Sequence, residues 1–369
     1  MEKNRINYVN LSKQWSQESP RLLNIIKKVL SSGEYVNGKQ IPIFEKNIAK
    51  ICNTKYAVAL NSGTDALVCA LIALGVRRGD EVITPPNSFI SSTSSIVHIG
   101  AIPVFVDVLS DQNIDPLKIE RAITSKTKAI MPVHLTGRIC DMDKIKKISL
   151  KYKIPIIEDA AQSIGSKLNG IPAGKWGDVG CFSAHPLKNL NACGDAGFLV
   201  TDKKSIYTKT LSLRNHGLVS RDKVKKFSYL SRMDNLQAAI LNFRLKNLKS
   251  VILQRRKNAK IYMKHLNQEY VKFPESKKNK IDTFHTFVVQ VNDRDKLKKL
   301  LQNKKIFTAI HYPVPIHLQP AAKYLRYKKG DFPNTEIQSK KILSLPINQF
   351  LKKEEIIKIS KEINRYYEN

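Results

Sequence analysis

The sequence has few cysteines, and they form no pattern typical of a disulfide framework or a zinc site. The five cysteines are odd in number and widely separated, and no Cys-x-x-Cys pair occurs. This distribution argues against structural disulfides and favours a reducing compartment. A zinc site built from cysteines is not expected either, and we predict no metal site.

Long apolar runs are also missing. No stretch approaches the roughly 20 apolar residues that a membrane-spanning helix needs. The N-terminal segment MEKNRINYVNLSKQW contains no apolar core of the kind that a signal peptide has. We therefore expect a cytoplasmic protein without a membrane partner.

Acidic residues are scarce, because 31 Asp and Glu stand against 63 Lys and Arg and give a net charge of +32. A strongly basic surface can bind nucleic acid or an anionic membrane. Here the basic residues are spread over separate polar segments such as KKNK, DRDKLKKLLQNKK and LKKEEIIK, without the interleaved aromatic residues of a nucleic-acid platform. We favour solvated lysines over a nucleic-acid partner, and a basic nucleic-acid-binding protein is the alternative from another functional class.

What the sequence does contain is an alternation of short apolar strands and amphipathic helices up to about residue 245. The predicted strands are YAVAL, EVITP, PVFVDV, AIMPVHL, PIIEDA and GDVGCFSA. Helical periodicity fits segments such as PRLLNIIKKVLSSG, TDALVCALIALG and DMDKIKKISLKY. This alternation predicts an α/β domain with a mainly parallel sheet, whose strands are buried on both faces.

The character of the chain changes after one long periodic stretch, SRMDNLQAAILNFRLKNLKSVILQRRKNAKIYMKHL, which predicts one or two connecting helices. The segments HTFVVQV, KLKKLLQNKK and TAIHYP then favour a smaller α+β unit, closed by a helix over EEIIKISKEINRYYEN. A chain of 369 residues is long enough for two such units. We predict a large domain over residues 1–245 and a small C-terminal domain over residues 246–369.

Three segments at or just after predicted strands carry candidate functional residues. In NSGTDAL (61–67) a Ser-Gly-Thr turn opens a helix, where free N–H groups can bind an anion or the hydroxyls can serve as an ordinary N-cap. Glu158 and Asp159 end the strand PIIEDA, where a carboxylate can orient a cation, bind a metal, act as a base or simply be solvated. Lys188 follows the apolar run GCFSA, and burial would lower its pKa and make the amine nucleophilic.

Taken together, the three segments match the needs of one cofactor. Pyridoxal phosphate requires a phosphate site at a helix N-terminus, a carboxylate at the pyridine nitrogen and a lysine for the aldehyde. The sequence offers these groups in that order on a parallel α/β sheet. We therefore predict a pyridoxal-phosphate enzyme.

A longer series of motifs resembles the DegT/DnrJ/EryC1/StrS family of pyridoxal-phosphate-dependent sugar aminotransferases. The series includes SGEYVNGKQIPIFEKNIA, ALNSGTDAL, VITPPNSFISS, MPVHLTGRICDMDKI, IEDAAQSIG, GDVGCFSAHPLKNLNACGDAG, LRNHG, SRMDNLQAAIL and HYPVPIHLQP. The resemblance implies a type I aminotransferase fold, with a mainly parallel seven-stranded sheet flanked by helices and a smaller C-terminal α+β domain. It also implies a homodimer with the active site between subunits.

The resemblance further implies roles for individual residues. Lys188 would carry the cofactor as a Schiff base and then move protons. The remaining cofactor contacts would be Asp159 at the pyridinium nitrogen, Gln162 at the phenolic oxygen, Phe89 stacked on the ring, and Gly63, Thr64 and Ser183 at the phosphate. Substrate contacts would come from His185, Arg221, His311 and Tyr312.

Two departures from the family pattern bear on the substrate. Leu230 occupies the position, two residues before Arg232, where the family often has an Asn that reaches the partner subunit's phosphate site. His185 stands where many relatives that aminate carbon 3 of the sugar have Tyr. The run KNLNACGDAG is nevertheless more similar to the pattern of the C3 aminotransferases than to that of many C4 enzymes. Lys188 itself favours transamination over dehydration, since related dehydratases carry His at its position.

We expect transfer of an amino group from L-glutamate to a keto group, at C3, of a nucleotide-linked sugar, with pyridoxamine phosphate as the intermediate form of the cofactor. Amination at C4 of a sugar, or of a cyclic ketone of the scyllo-inosose type, remains open. The sequence also leaves open the nucleotide, the sugar and the pathway. The product could serve the synthesis of lipopolysaccharide, capsule, glycan or antibiotic sugars.

Overall fold

The structure, a computed structural model, describes residues 5–368, so residues 1–4 and 369 of the two predicted domains lie outside the described residues. The α-helices are α1 (Leu11–Ser32), α2 (Gln40–Ile51), α3 (Gly63–Ala73), α4 (Ile90–His98), α5 (Pro116–Ile119), α6 (Met142–Tyr152), α7 (Lys204–Leu213), α8 (Asn235–Leu245), α9 (Leu248–His265), α10 (Arg294–Asn303), α11 (Pro333–Lys341) and α12 (Lys353–Glu368). The strands are β1 (Tyr56–Leu60), β2 (Glu81–Thr84), β3 (Ile102–Phe105), β4 (Thr127–Ile130), β5 (Ile157–Asp159), β6 (Lys167–Leu168), β7 (Ile171–Pro172), β8 (Val179–Ser183), β9 (Gly197–Thr201), β10 (Leu218–Ser220), β11 (Lys223–Val224), β12 (Lys280–Ile281), β13 (Phe287–Gln290) and β14 (Ile342–Leu345). Short 3₁₀ turns cover Glu120–Ala122, Leu135–Gly137, Ile316–Leu318 and Pro320–Leu325.

Two sheets form the centre of the fold, one in the order β1-β9-β8-β5 and the other in the order β3-β2-β4. Strand β2 is parallel to β3 and β4, and β5 is parallel to β8, whereas β9 is antiparallel to both β1 and β8. Parallel bridges from Ile130 to Ile156 and from Val133 to Asp159 connect the two sheets. Strands β1, β2, β4, β5 and β8 therefore end at the same edge.

The predicted α/β alternation is confirmed, and the apolar runs are buried as expected for a sheet covered on both faces. All four residues after Tyr56 in β1 are buried, and so are all five residues of β9. Strand β9 is a strand that the sequence reasoning missed. Its first residue, Gly197, is also the last residue of the Gly-Asp-Ala-Gly run, so the sequence pattern resembles the end of a loop.

The first helix begins earlier than the periodicity predicted. It starts at Leu11 behind the N-cap Asn10, whose side chain accepts a hydrogen bond from the N–H of Lys13, and it passes through Pro20. It ends as predicted at Gly33, which adopts a left-handed conformation with φ of 69°. None of the helices within residues 5–368 combines the length and the hydropathy that a membrane-spanning helix requires.

The long periodic stretch forms two helices, α8 and α9, and α9 contributes to two hydrophobic cores. Ile252 packs in the core around the central sheets, whereas Tyr262 packs in a second core with residues of α10, β13, β14 and α12. Ile6 belongs to this second core and forms a parallel bridge with Ile306. The first described residues of the chain therefore pack against its C-terminal part.

Candidate active site

A cavity of about 290 Å³ lies at the edge where the parallel strands end. Ten of the eleven predicted site residues line it, namely Gly63, Thr64, Phe89, Asp159, Gln162, Ser183, His185, Lys188, His311 and Tyr312. They come from segments that follow β1, β2, β5 and β8 and from the C-terminal part of the chain. The topology thus brings together residues that are up to 249 positions apart, from Gly63 to Tyr312.

One side of the cavity is the N-terminus of α3. Ser62 is the N-cap, and its hydroxyl accepts a hydrogen bond of 3.0 Å from the N–H of Asp65. The backbone at Gly63 lies tightly against the neighbouring strand end, since a Cβ atom there would be 2.8 Å from the Cβ of Ser183. The hydroxyl of Thr64 donates to that of Ser91 at 2.9 Å. Free N–H groups and hydroxyls at a helix N-terminus are suited to bind an anion.

Asp159 is buried at the end of β5 and accepts two hydrogen bonds. Ser92 Oγ donates to Oδ2 at 2.6 Å, and the N–H of Ala161 donates to Oδ1 at 3.1 Å. Burial raises the pKa of Asp159, while these bonds and the charges of Lys188 and His134 lower it. The carboxylate therefore has a site that favours a positively charged partner.

Lys188 is half-buried and lines the cavity. Burial lowers the pKa of Lys188 to about 8, and the charge of Asp159 opposes this shift. The backbone is fixed by a turn in which the N–H of Lys188 donates to the carbonyl of His185 at 2.8 Å. A neutral amine is thus accessible near physiological pH, as the sequence reasoning expected for a nucleophilic lysine.

Phe89, Tyr312 and Gln162 form another wall of the cavity. The ring of Phe89 is 53% exposed and lies 5.7 Å from the ring of Tyr312, centroid to centroid. Gln162 is buried, and its Oε1 accepts from the N–H of Thr136 at 2.7 Å. Burial raises the pKa of Tyr312, and the neighbouring Gln162 opposes this shift. An exposed aromatic face beside a fixed amide suits a planar ligand.

His311 is held in a neutral form. Burial and the charge of Lys188 lower the pKa of His311 to about 4. Its Nδ1 lies 2.8 Å from Ser344 Oγ, and its ring stacks on that of Tyr8 at 5.7 Å. His185 also lines the cavity but is exposed.

Several lining residues were missed by the sequence reasoning, among them Tyr8, Ser92, Arg255 and His285. Ser92 follows Phe89 by three positions, so helical spacing could have found it once Phe89 was chosen. The other three lie on segments from distant parts of the chain, and no local pattern marks them. The N-terminal segment carries Tyr8 to the cavity, α9 carries Arg255, and the segment before β13 carries His285.

Arg221 is the one predicted site residue that does not line the cavity. It lies between β10 and β11 and is exposed. Leu230 is also exposed, and it forms an antiparallel bridge with Asn215. Within one chain, neither residue contributes to the cavity.

Comparison with known proteins identifies one family for this chain. The sequence profile of the DegT/DnrJ/EryC1/StrS aminotransferase family matches residues 17–364. A protein of Aneurinibacillus thermoaerophilus named dTDP-3-amino-3,6-dideoxy-alpha-D-galactopyranose transaminase is 38% identical over 362 residues, which cover 96% of this chain and 97% of the relative. A protein of Geobacillus stearothermophilus named pleiotropic regulatory protein is 37% identical over 363 residues, which cover 97% of this chain and 98% of the relative.

Solved structures agree with this result. The structure of S. venezuelae DesV in complex with a ketimine intermediate has a TM-score of 0.97 and 34% identity, and the match covers 100% of both chains. The structure of NtdA from Bacillus subtilis with bound cofactor PMP has a TM-score of 0.93 and 33% identity, and the match covers 100% of this chain and 86% of that chain.

Proposed function

Because this chain belongs to the DegT/DnrJ/EryC1/StrS aminotransferase family, we propose that it transfers an amino group from L-glutamate to the C3 keto group of a nucleotide-linked sugar. It is a pyridoxal-phosphate-dependent aminotransferase. The observation that carries the proposal is the pairing, in one cavity, of a lysine whose pKa is lowered to about 8 with the buried carboxylate of Asp159. The alternative of a basic nucleic-acid-binding protein has no comparable support.

The residues around the cavity fit pyridoxal phosphate. Lys188 would attach to its aldehyde, and Asp159 would pair with its ring nitrogen. Gly63 approaches Ser183 so closely that only a residue without a side chain fits at the N-terminus of α3. Gly63, Thr64 and Ser183 would together surround the phosphate there. Phe89 would stack on the cofactor ring, and the amide of Gln162 would contact its phenolic oxygen.

When bound, the cofactor stores the amino group and stabilises negative charge on the substrate carbon. Lys188 Nζ removes the proton from the α-carbon of the donor. In the second half of the reaction it delivers a proton to the sugar carbon that receives the nitrogen. Both transfers use the same amine, whose lowered pKa lies near the working pH, as efficient acid–base catalysis requires. Asp159 keeps a negative charge where the ring nitrogen needs a counter-ion.

The sugar nucleotide would be bound at the outer part of the cavity by His185, His311 and Tyr312. Neutral His311 can donate or accept a hydrogen bond without adding charge beside Lys188. Arg221 would reach the phosphates of a nucleotide bound to the partner subunit of a homodimer. The segment that carries Arg221 has several exposed apolar side chains, of which Phe227 is 93% exposed, and such a segment is suited to a subunit interface.

We further propose that the two central sheets act as one mainly parallel sheet of seven strands, as the bridges from Ile130 and Val133 suggest. The division into a large domain over residues 1–245 and a small α+β domain over residues 246–369 also stays a proposal. The second hydrophobic core around Tyr262 supports a separate C-terminal unit, although Ile6 belongs to that core as well.

The position of amination is tested by the product. The cofactor-loaded protein is incubated with ¹⁵N-labelled L-glutamate and a dTDP-linked 3-keto sugar or its 4-keto isomer, and NMR identifies the carbon that carries ¹⁵N. We expect ¹⁵N at C3. Nitrogen at C4 alone would overturn amination at C3. No transfer to either sugar, or to the corresponding UDP-linked sugars, would count against a nucleotide-sugar substrate.

Attachment of the cofactor is expected to depend on pH through Lys188. Only the neutral amine reacts with an aldehyde, and a pKa of about 8 means that its fraction falls about tenfold per pH unit below pH 8. The rate at which cofactor-free protein reacts with pyridoxal phosphate, followed by stopped-flow absorbance, should therefore rise up to about pH 8 and then level off.

The matched variant for this measurement is Asp159→Asn. The charge of Asp159 raises the pKa of Lys188, so its removal should move the midpoint of the profile to lower pH. A rate that keeps rising toward pH 10 in the unaltered protein, as for an exposed lysine, would contradict the lowered pKa.

A further inference from the structure

One end of the cavity carries positive charge without an acidic partner. Arg255 on α9 lines this end together with Tyr8, His285 and His311. Burial lowers the pKa of His285, and the positive charges of Lys188 and Arg255 lower it further. Across residues 5–368, the structure gives Arg255 no carboxylate within salt-bridge distance, although only 6% of the residue is exposed.

The hydrogen bonds of Arg255 leave part of its guanidinium unused. Nη1 donates to the carbonyl oxygens of Phe284 at 3.2 Å and His285 at 3.1 Å, and Nη2 donates to Gln349 Oε1 at 3.3 Å. Nε is buried and has no partner. A guanidinium has five N–H donors, so the N–H of Nε and one N–H of Nη2 remain free.

Nε and Nη2 share one edge of the guanidinium plane, and a carboxylate can accept a hydrogen bond from each of these nitrogens through its two oxygens. Nδ1 of His285, in the residue whose carbonyl already accepts from Arg255, is also buried without a partner. Buried polar groups are rarely left unpaired, and a buried unpaired cation is costly. Arg255 and His285 are therefore arranged to bind an anion, and we expect this anion to be part of a substrate.

The position of this end relative to Lys188 identifies the anion. Lys188 lines the same cavity of about 290 Å³ as Arg255, His285 and His311, so one small ligand in this cavity can contact both the lysine and the arginine. In an α-amino acid the carboxylate is attached to the carbon that carries the amino group, and that amino group must reach the cofactor at Lys188. A sugar nucleotide carries its negative charge on phosphates that are several bonds away from the keto carbon.

We infer that Arg255 binds the α-carboxylate of the amino-acid donor, with His285 beside it. The inference rests on the proposed function and extends it, because it assigns the donor a binding residue that also selects α-amino acids over other amines. Arg255 would position the donor so that its α-hydrogen faces Lys188. A bidentate, buried Arg–carboxylate pair would supply a large part of the donor's affinity.

The test compares three ligands in binding measurements that do not depend on turnover. Cofactor-loaded Lys188→Ala protein, with and without the additional change Arg255→Met, is titrated calorimetrically with L-glutamate, L-2-aminobutyrate and 4-aminobutyrate. The first two carry an α-carboxylate and the third lacks it. The control change is Arg256→Met, since Arg256 is the neighbouring arginine of α9 and donates to the carbonyl of Asp282 outside this cavity.

We expect Arg255→Met to raise the Kd of L-glutamate and of L-2-aminobutyrate about 10- to 100-fold, and that of 4-aminobutyrate less than about twofold. Arg256→Met should leave all three constants unchanged. If Arg255→Met does not fold or load the cofactor, Arg255→Lys keeps the charge but loses the planar fork, and a loss of about 3- to 10-fold confined to the two α-carboxylates is expected.

Equal weakening of all three ligands, or no weakening of L-glutamate, would overturn the inference while leaving the proposed function intact. The same proteins are also titrated with thymidine diphosphate. A rise in its Kd on Arg255→Met without a change for L-glutamate would overturn the inference too, since Arg255 would then serve the sugar nucleotide. If the protein with Arg255 intact binds none of the three amines, the proposed function fails and the inference fails with it.

Discussion

Replacing Lys188 by alanine is expected to abolish turnover, with a fall in kcat of about 10⁴-fold or more. The change removes both the amine that attaches the cofactor and the base that moves the proton, and acid–base catalysis alone contributes about 10²- to 10⁴-fold. The cofactor should still bind, because the residues proposed around its phosphate and ring are untouched. The measurement is single-turnover absorbance after mixing cofactor-loaded protein with L-glutamate.

The matched control is Lys175→Ala. Lys175 is also half-buried, but it pairs with Asp202 and does not line the cavity. Its removal should leave kcat within about twofold of the original value, since a partly exposed ion pair contributes little. Turnover of the Lys188→Ala protein at a near-normal rate would refute the role given to Lys188.

Asp159→Asn is expected to lower kcat about 10³-fold while the cofactor remains attached to Lys188. The carboxylate accepts from both Ser92 and Ala161, and it supplies the negative charge that the pyridine nitrogen requires. Asparagine keeps the shape but removes this charge, and its amide nitrogen cannot accept a hydrogen bond. Loss of one such electrostatic group typically costs about 10²- to 10³-fold in rate.

Two controls separate this effect from general damage to the core. Ser92→Ala removes one hydrogen bond but leaves the charge, so kcat should fall only about tenfold. Asp107→Asn alters another buried aspartate, outside the cavity, which accepts from Thr335 and Asn334, and it should lower stability without a comparable loss of kcat. A kcat for Asp159→Asn within tenfold of the original would contradict the pairing with the ring nitrogen.

The central strands and the residues at their ends could be predicted from the sequence because local patterns encode them. YAVAL followed by Ser62 and Gly63, and PIIEDA ending at Asp159, each combine a buried strand with a polar residue at its carboxyl end. Parallel strands place such residues at one edge, so their meeting follows from the fold class. The further assignments, such as Gln162 and Tyr312, came from the family resemblance and not from these patterns.

The end of the cavity around Arg255 could not be predicted in the same way. Arg255 lies in QRRKNAK on a helix with many basic residues, and nothing local separates it from Arg256. Tyr8 reaches the cavity because the first described residues pack against the second core, a contact between opposite ends of the chain. Such long-range packing leaves no periodicity or spacing in the sequence.

The extended start of α1 and the missed strand β9 have local causes. Pro20 suggests the first turn of a helix, where proline is favoured, but the helix passes through it from the N-cap Asn10. The five residues from Gly197 to Thr201 follow a turn without a polar boundary, and their pairing with β1 and β8 makes them a strand. In both cases tertiary contacts decide between two locally acceptable structures.

The attachment of the cofactor to Lys188 can be observed directly by trapping it chemically. Purified protein is loaded with pyridoxal phosphate, its absorption spectrum is recorded, borohydride is added, and the modified peptide is identified by mass spectrometry. We expect a visible absorbance band that borohydride removes, and a reduced cofactor adduct on Lys188 alone. No band and no adduct in excess cofactor, or an adduct on another lysine with Lys188 unmodified, would contradict it.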